Sequence, residues 1–432
     1  MAAAAIIRHT LIPLAVASAL AGAISPTRAS TVRVGHDEPC TSIASALALA
    51  GAGDTILVAP GLYNEFGLII DKSIVLDGGG TAVIDAAGQG AIITVTAPGV
   101  TIRGFTLRNV GSSFTEDRAA IRLRQVKHAR VENNRLERAF FGIYVEHCDS
   151  VVIRANTLEG PETRETDNGN GIHLWYTKHA RIEDNRISGH RDGIYFEFVE
   201  NSVVARNMST RNQRYGLHFM FSHHDDYFDN HFVANGAGVA VMYTNDVVMR
   251  GNTFEDNWGT NAYGLLLKDI NRSTIAHNQF RGNTVGLYAE GSGHLHVEDN
   301  DFNANGYAIR IMANSMDNVF TGNRFMDNAF DVVTNSRQSF NTFDGNYWSE
   351  YRGYDLDKDG VGDVPHHPVR LFALLVEKAP PGVVLLKSLF VSLIDTAERV
   401  MPVFTPETLV DSRPLMSPGA PVQTTAVRRD SR

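Results

Sequence analysis

A chain of 432 residues with 43% hydrophobic and 20% charged residues is globular, not disordered, and has apolar material for a large core. A formal charge of -9 and the lack of any basic cluster exclude nucleic acid as a partner, because phosphate binding needs a positive face. Cysteine is confined to Cys40 and Cys148, so this is no disulfide scaffold, and spacing alone leaves open whether the two are bridged or are separate buried thiols.

Taken in chain order, Arg8 and His9 precede an apolar run over residues 11–24, with small residues at Ala21, Ala23 and Ala29. The run is short for a membrane span and suits a signal peptide over residues 1–29; an uncleaved anchor is the alternative. Residues 30–52 read as an amino-terminal cap, with a helix-forming stretch at 42–50 that ends at Gly51 and would cover exposed strand edges.

Residues 53–350 read as a coil. Strand-like segments at 55–58, 73–76, 92–95 and 101–107 lead into a repeat marked by Asn134, Asn156, Asn185, Asn207, Asn230, Asn252, Asn278, Asn300, Asn323 and Asn346, of which Asn207 and Asn346 fit least well. Successive members lie 22, 29, 22, 23, 22, 26, 22, 23 and 23 residues apart, a period that means a solenoid. A second column follows a glycine, in alternating strings such as Ile143-Tyr-Val145, Ile194-Tyr-Phe196 and Leu217-His-Phe219. Short alternating strands with sharp turns and no helical period predict an all-β fold, a single-stranded right-handed parallel β-helix. In it, equivalent residues of successive rungs stack about 4.8 Å apart, and an inward Asn column forms a hydrogen-bonded ladder with a structural role. Two rungs carry extra residues, at 160–170 and 257–262, which leave the coil at one corner.

Alternation turns the first and third residues of each post-glycine strand inward and places the second and fourth on the solvent side. The outward positions then include His173 and His218 in one column, and Glu197, Met220 and Met242 in the next, with His223 and His224 in the following turn. Thioethers beside imidazoles suit Cu(I), a soft ion, so His218, Met220, Met242, His173 and Glu197 are the candidate copper ligands. The same residues fit a hydrophobic contact patch, and both readings can hold. Tyr144, Trp175 and Tyr195 beside Glu197 and Asp192 also admit a secreted carbohydrate-active enzyme (lyase, epimerase or hydrolase), although no second carboxylate matches the first.

After the coil, residues 351–372 hold Asp355, Asp357, Asp359 and Asp363 around Gly360, the first part of an EF-hand-type loop and a candidate structural calcium site; His366 replaces the closing Glu. Residues 373–416 read as a helix over 383–401 and a docking arm, with Leu386, Leu389, Phe390 and Leu393 as candidate partner-binding residues; 417–432 reads as a disordered tail.

The strings Gly169-Asn-Gly-Ile-His-Leu-Trp175, Gly189-His-Arg-Asp-Gly-Ile-Tyr-Phe-Glu-Phe198, Tyr215-Gly-Leu-His-Phe-Met-Phe221, Gly236-Ala-Gly-Val-Ala-Val-Met-Tyr243 and Tyr263-Gly-Leu-Leu-Leu-Lys-Asp-Ile270 resemble the NosD family, as does the ending Asn346-Tyr-Trp348 with its Asp-rich loop. The resemblance implies a periplasmic β-helix protein, not an enzyme, that serves an ABC transporter in maturing the copper-sulfur centre of nitrous oxide reductase. Its implied partners are the transporter's membrane subunit and ATPase, the reductase and a copper chaperone, and its implied cargo is copper or a sulfur species. The carboxy-terminal helix and arm would then grip the membrane subunit.

Overall fold

The computed structural model describes residues 29–400, apart from 112, 114, 162, 163, 337, 386 and 387, and residues 409–419. The signal peptide, Leu386 and most of the predicted disordered tail lie outside the described residues. Parallel strands wind into a β-solenoid, and the pairing joins each strand to its counterpart one rung on, as in Ile194↔Leu217 and Leu217↔Val239. The post-glycine strands form one sheet of 12, and the remaining strands form a sheet of 25 that wraps the other sides. Between them runs a continuous core of Ile, Val, Leu and Phe, where Phe254, Phe280, Phe302, Phe325 and Trp348 stack at ring separations of 4.7, 4.6, 5.1 and 4.1 Å.

The Asn column is a ladder, with Asn207 and Asn346 as full members. Each Nδ2 donates to the Oδ1 of the Asn one rung on, at 3.1 Å from Asn134 to Asn156 and 3.0 Å from Asn323 to Asn346. Each Oδ1 also accepts the backbone N–H of the preceding Asn, as Asn252 does from Asn230 at 3.0 Å. These buried carboxamides thus have their polar atoms matched, the condition for keeping an Asn inside a core. A second Asn ladder went unread in the sequence: Asn257, Asn283, Asn305 and Asn328 link at 2.9, 3.1 and 3.1 Å.

At the amino end, helix α1 (Ile43–Leu49) lies over the first rungs. The Glu65 carboxylate accepts the N–H groups of Ile43 and Ala44 at 2.8 and 2.9 Å, and the Lys72 ammonium donates to the carbonyls of Leu47, Ala48 and Ala50 at 3.1, 3.2 and 2.8 Å. Opposite charges at the two ends match the helix dipole and satisfy groups that a short helix leaves open. Strand Thr31–Val34 precedes the helix and pairs with Thr55–Val58, so the predicted cap already contains the first strand of the coil. Cys40 and Cys148 are separate, free and buried, and burial pushes the Cys148 thiol up to about 11.

The carboxy-terminal end departs from the sequence reading. In place of one helix over 383–401 there are two, α2 (Leu371–Lys378) and α3 (Leu389–Val400). Phe372, Ala373 and Val376 of α2, with Val391 of α3, pack on Phe330 and Val333, which are side chains on the outer face of the last post-glycine strand. The helix expected over 383–401 is thus shorter, its α-helical part beginning at Leu389 after a 3-10 turn over Pro380–Leu385, and α2 precedes it across Pro380, Pro381 and Gly382. Nor is 409–416 a free docking arm. It returns to the coil, where the buried Asp411 carboxylate accepts from Gly345 N, Asn346 N, Asn346 Nδ2 and Trp348 Nε1 at 3.0, 2.9, 3.0 and 3.0 Å. Asp411 is therefore the last member of the Asn ladder.

Candidate functional site

The 12-stranded sheet turns one face to the core and the other outward, and the outward face was expected to be open to solvent. It is not: Tyr144, His218 and Leu266 are 6%, 4% and 9% exposed. In the column through His218 the outward side chains are covered by their neighbours on the rungs above and below, whereas Ile69 near the amino end is 60% exposed. Tyr144 stacks on His173 at 4.5 Å, His173 meets Tyr195 at 4.7 Å, Tyr195 meets His218 at 5.0 Å, and Tyr215 closes on His218 from the side at 4.7 Å. A sheet spacing of about 4.8 Å is close to ring-stacking distance, so aromatic columns bury themselves.

The candidate copper ligands fall into two groups. His173 and His218 are two rungs apart, about 9.6 Å, with the Tyr195 ring between them, so they cannot share one ion. Glu197, Met220 and Met242, by contrast, pair in one register column on consecutive rungs, half-buried. Tyr195 Oη donates to Met220 Sδ at 3.5 Å, and burial with the Glu197 charge pushes that hydroxyl up to about 12, which keeps it a donor.

His218 sits one strand step before Met220. Its Nδ1 is 3.7 Å from the Asp192 carboxylate and 3.2 Å from Arg214 Nη2, while its Nε2 is buried without a hydrogen-bond partner. The guanidinium can only donate, so Nδ1 accepts from it and the ring hydrogen lies on the buried Nε2, the Asp192 carboxylate being beyond hydrogen-bond reach. Arg214 is in turn held by Asp192 at 3.3 Å. The side chains whose chemistry suits a soft cation are thus Met220 and Met242, which His218 joins through Nε2 only in its other tautomer, on giving up the Arg214 bond. His223 and His224 are engaged elsewhere, His223 Nδ1 accepting from Asn245 N at 3.1 Å and His224 facing Asp246 at 3.7 Å.

Beside the Met column lies a feature the sequence reading passed over. His147, Tyr176, Phe198, Phe221 and Tyr243 occupy one turn position on five successive rungs and stack at 5.3, 4.5, 5.3 and 5.0 Å. All five have left-handed backbone, with φ of 51, 46, 55, 49 and 56°, a conformation costing about 1 kcal/mol per residue for side chains of this bulk. Tyr176, Phe221 and Tyr243 are exposed. Reading one position beyond the Met column would have revealed this stripe. Because the rings face one another, the stripe shows solvent its edges, and Tyr144 is buried in a stack of its own; a sugar platform needs free ring faces.

Farther along, Asp355, Asp357 and Asp359 bring carboxylate oxygens within 4.8 Å of one another, the single such acidic, Cys or His group among the described residues. Asp363 is not part of it, its Oδ2 accepting from Leu356 N at 2.7 Å. The loop is tied to the carboxy-terminal segment by Gly362 N to Pro414 O at 2.8 Å and Met416 N to Gly360 O at 3.0 Å. On α3, Leu389, Phe390 and Leu393 are 79%, 56% and 61% exposed, an apolar face without cover among the described residues.

A family profile described as periplasmic copper-binding protein (NosD) matches residues 161–353, which include all five candidate copper ligands. A second profile, for a protein of unknown function, matches residues 67–221. The chain is 32% identical over 367 residues to the probable ABC transporter binding protein NosD of Pseudomonas aeruginosa, covering 81% of this chain and 85% of that one. It is 32% identical over 355 residues to the protein of that name in Stutzerimonas stutzeri, covering 78% and 80%. Among solved structures, the catalytic unit of an alpha-1,3-glucanase from Streptomyces thermodiastaticus aligns with a TM-score of 0.57 at 12% identity, covering 76% of this chain and 67% of the other. The adhesin PfbA of Streptococcus pneumoniae aligns with a TM-score of 0.52 at 12% identity, covering 74% and 92%. An enzyme and an adhesin share the coil, so the coil by itself implies neither activity.

Proposed function

Because the chain belongs to the NosD family, we propose that it is a periplasmic accessory protein of an ABC transporter that handles copper on the outer face of its coil, in the maturation of the copper-sulfur centre of nitrous oxide reductase. The observation that carries the copper reading is the Met220–Met242 pair on adjacent rungs, with His218 one outward position before Met220 on the same strand. Thioethers and imidazole favour Cu(I), and Tyr195 holds the first thioether in place. Glu197 borders the pair, and His173 belongs to the supporting stack instead of the ligand set. Titration of Cu(I) against a competing chelator is expected to show affinity falling by about 100-fold or more in a His218→Ala, Met220→Ala, Met242→Ala variant. Equal affinity in both proteins would remove the assignment.

The exposed aromatic stripe next to the Met pair supports a docking role on the same face, since exposed apolar surface that costs backbone strain is retained where a partner covers it. A copper chaperone and the reductase are the partners proposed there. Leu389, Phe390 and Leu393 of α3 are proposed to meet the transporter's membrane subunit, with the ATPase behind it. Deleting everything after Ala379 would also remove Asp411 and loosen the coil, so point charges test this better. Leu389→Glu, Phe390→Glu, Leu393→Glu is expected to abolish co-purification with the membrane subunit while leaving the melting curve unchanged; retained binding refutes the role. Calcium on Asp355, Asp357 and Asp359 is proposed as structural, bracing the segment that carries Asp411.

A further inference from the structure

We propose that one edge of the coil is a self-complementary contact surface, on which a second copy of the chain packs running in the opposite direction. The edge is the row of left-handed turn residues between the larger sheet and the post-glycine strands, just ahead of the second Asn ladder. Backbone hydrogen bonds fix its order. Arg138 N donates to Glu159 O, Arg211 N to Val233 O, Ala234 N to Glu255 O, Asp256 N to Arg281 O and Ala304 N to Met326 O, each acceptor lying immediately before the next member of the row. Ala234 is the centre of the pattern. One rung to either side of it stand Arg211 and Asp256, and four rungs to either side stand Arg138 and Asp327. All four are exposed and lie outside the coil's own ion pairs among the described residues. Gly189, Gly282 and Ala304 occupy places between them, so no bulky side chain holds a neighbour away from the charges.

Turning a copy end for end about the Ala234 rung sets Arg211 against Asp256 and Arg138 against Asp327, twice each, because a twofold axis repeats every contact. A copy running the same way would oppose Arg to Arg and Asp to Asp. The neighbouring row of strand residues agrees with the first register: Glu137 meets Met326, Glu159 meets Asn303 and Thr210 meets Glu255, with no like charges opposed. The insertions that leave after Gly160 and Asp256 fall at different levels from those of the copy. Trp258, 65% exposed in the second insertion, gains cover near the axis, and Trp and Arg are enriched where interfaces gain affinity. From Arg138 to Asp327 the edge runs about 38 Å at about 4.8 Å per rung. A single ridge of that length buries less than the roughly 1,200 Å² of a standard interface, so the association is weak and salt-sensitive. The post-glycine strands start at this edge and carry Met220 and Met242 at their other end, so the contact leaves that face open and does not depend on the copper reading.

Sedimentation equilibrium of the full chain tests it. At about 20 mM salt a dimer is expected with a dissociation constant on the order of 100 μM, and at about 500 mM salt the monomer alone. Arg211→Asp and Asp256→Arg should each weaken the dimer by about tenfold or more, since each opposes like charges twice. Arginine and aspartate both already occupy left-handed positions of this row, so neither substitution asks for a new backbone, and matching melting curves verify folding. An equimolar mixture of the two variants restores both pairs across the interface and should associate as tightly as the parent chain. A chain that stays monomeric in low salt at up to about 300 μM overturns the proposal. Association that the single variants leave unchanged overturns it too, as does a mixture that stays monomeric.

Discussion

Asp411→Ala is expected to destabilise the protein by about 3–6 kcal/mol, the largest effect of any single substitution considered. The methyl group leaves Gly345 N, Asn346 N, Asn346 Nδ2 and Trp348 Nε1 buried with no acceptor, at the rung where the core ends in Trp348. In a solenoid each rung is held by its neighbours, so loss spreads inward from the exposed end. Hydrogen exchange should therefore show protection lost first at residues 341–348 and last near the middle of the coil. Asp411→Asn keeps one acceptor oxygen and should lose roughly half as much. A melting temperature for Asp411→Ala within a degree or so of the parent would show that the cap is dispensable.

The second large effect is acid sensitivity centred on His190. The ring is buried, and burial holds its pKa down to about 4 against a partial pull from the Gly169 carbonyl. The folded state thus binds fewer protons than the unfolded chain between about 6.5 and about 4. The stability that His190 contributes is complete above pH 6.5 and lost as pH falls toward 4, amounting to about 3 kcal/mol over that window. Denaturant unfolding at a series of pH values should show a decline at least this large, since the buried His173, pushed down to about 3, titrates in the same sense, and His190→Leu should remove only the His190 share. A decline of the same size in His190→Leu would assign the acid sensitivity to other groups.

The coil was legible because its causes repeat. An Asn every 22 or so residues, each followed two positions later by an apolar side chain, states both the period and the inward column. The outward face was read with the right register and the wrong exposure. Alternation tells which way His218 points, but it does not tell that Tyr195, Tyr215 and Arg214 close over it. The distance between His173 and His218 was likewise a matter of counting rungs, and the intervening Tyr195 was in plain view. Least legible was Asp411, which lies 65 residues beyond Asn346 in a proline-rich stretch with no period at all. Nothing local marks it, since its role is set by where the chain returns.

The Asn ladder has one more property, which follows from the direction of its bonds. From Asn134 to Asn346 every Nδ2 donates toward the carboxy terminus and every Oδ1 faces the amino terminus. Ten carboxamide dipoles therefore point the same way, and aligned hydrogen-bonded dipoles polarise one another as the peptide units of a helix do. The column has a negative pole, where Asn134 Oδ1 accepts from Phe105 N at 3.1 Å, and a positive pole at Asn346. A carboxylate stands at the positive pole. Asp411 is thus to this side-chain wire what an acidic cap is to a helix, and a coil without backbone helices still carries an electrical axis along its length.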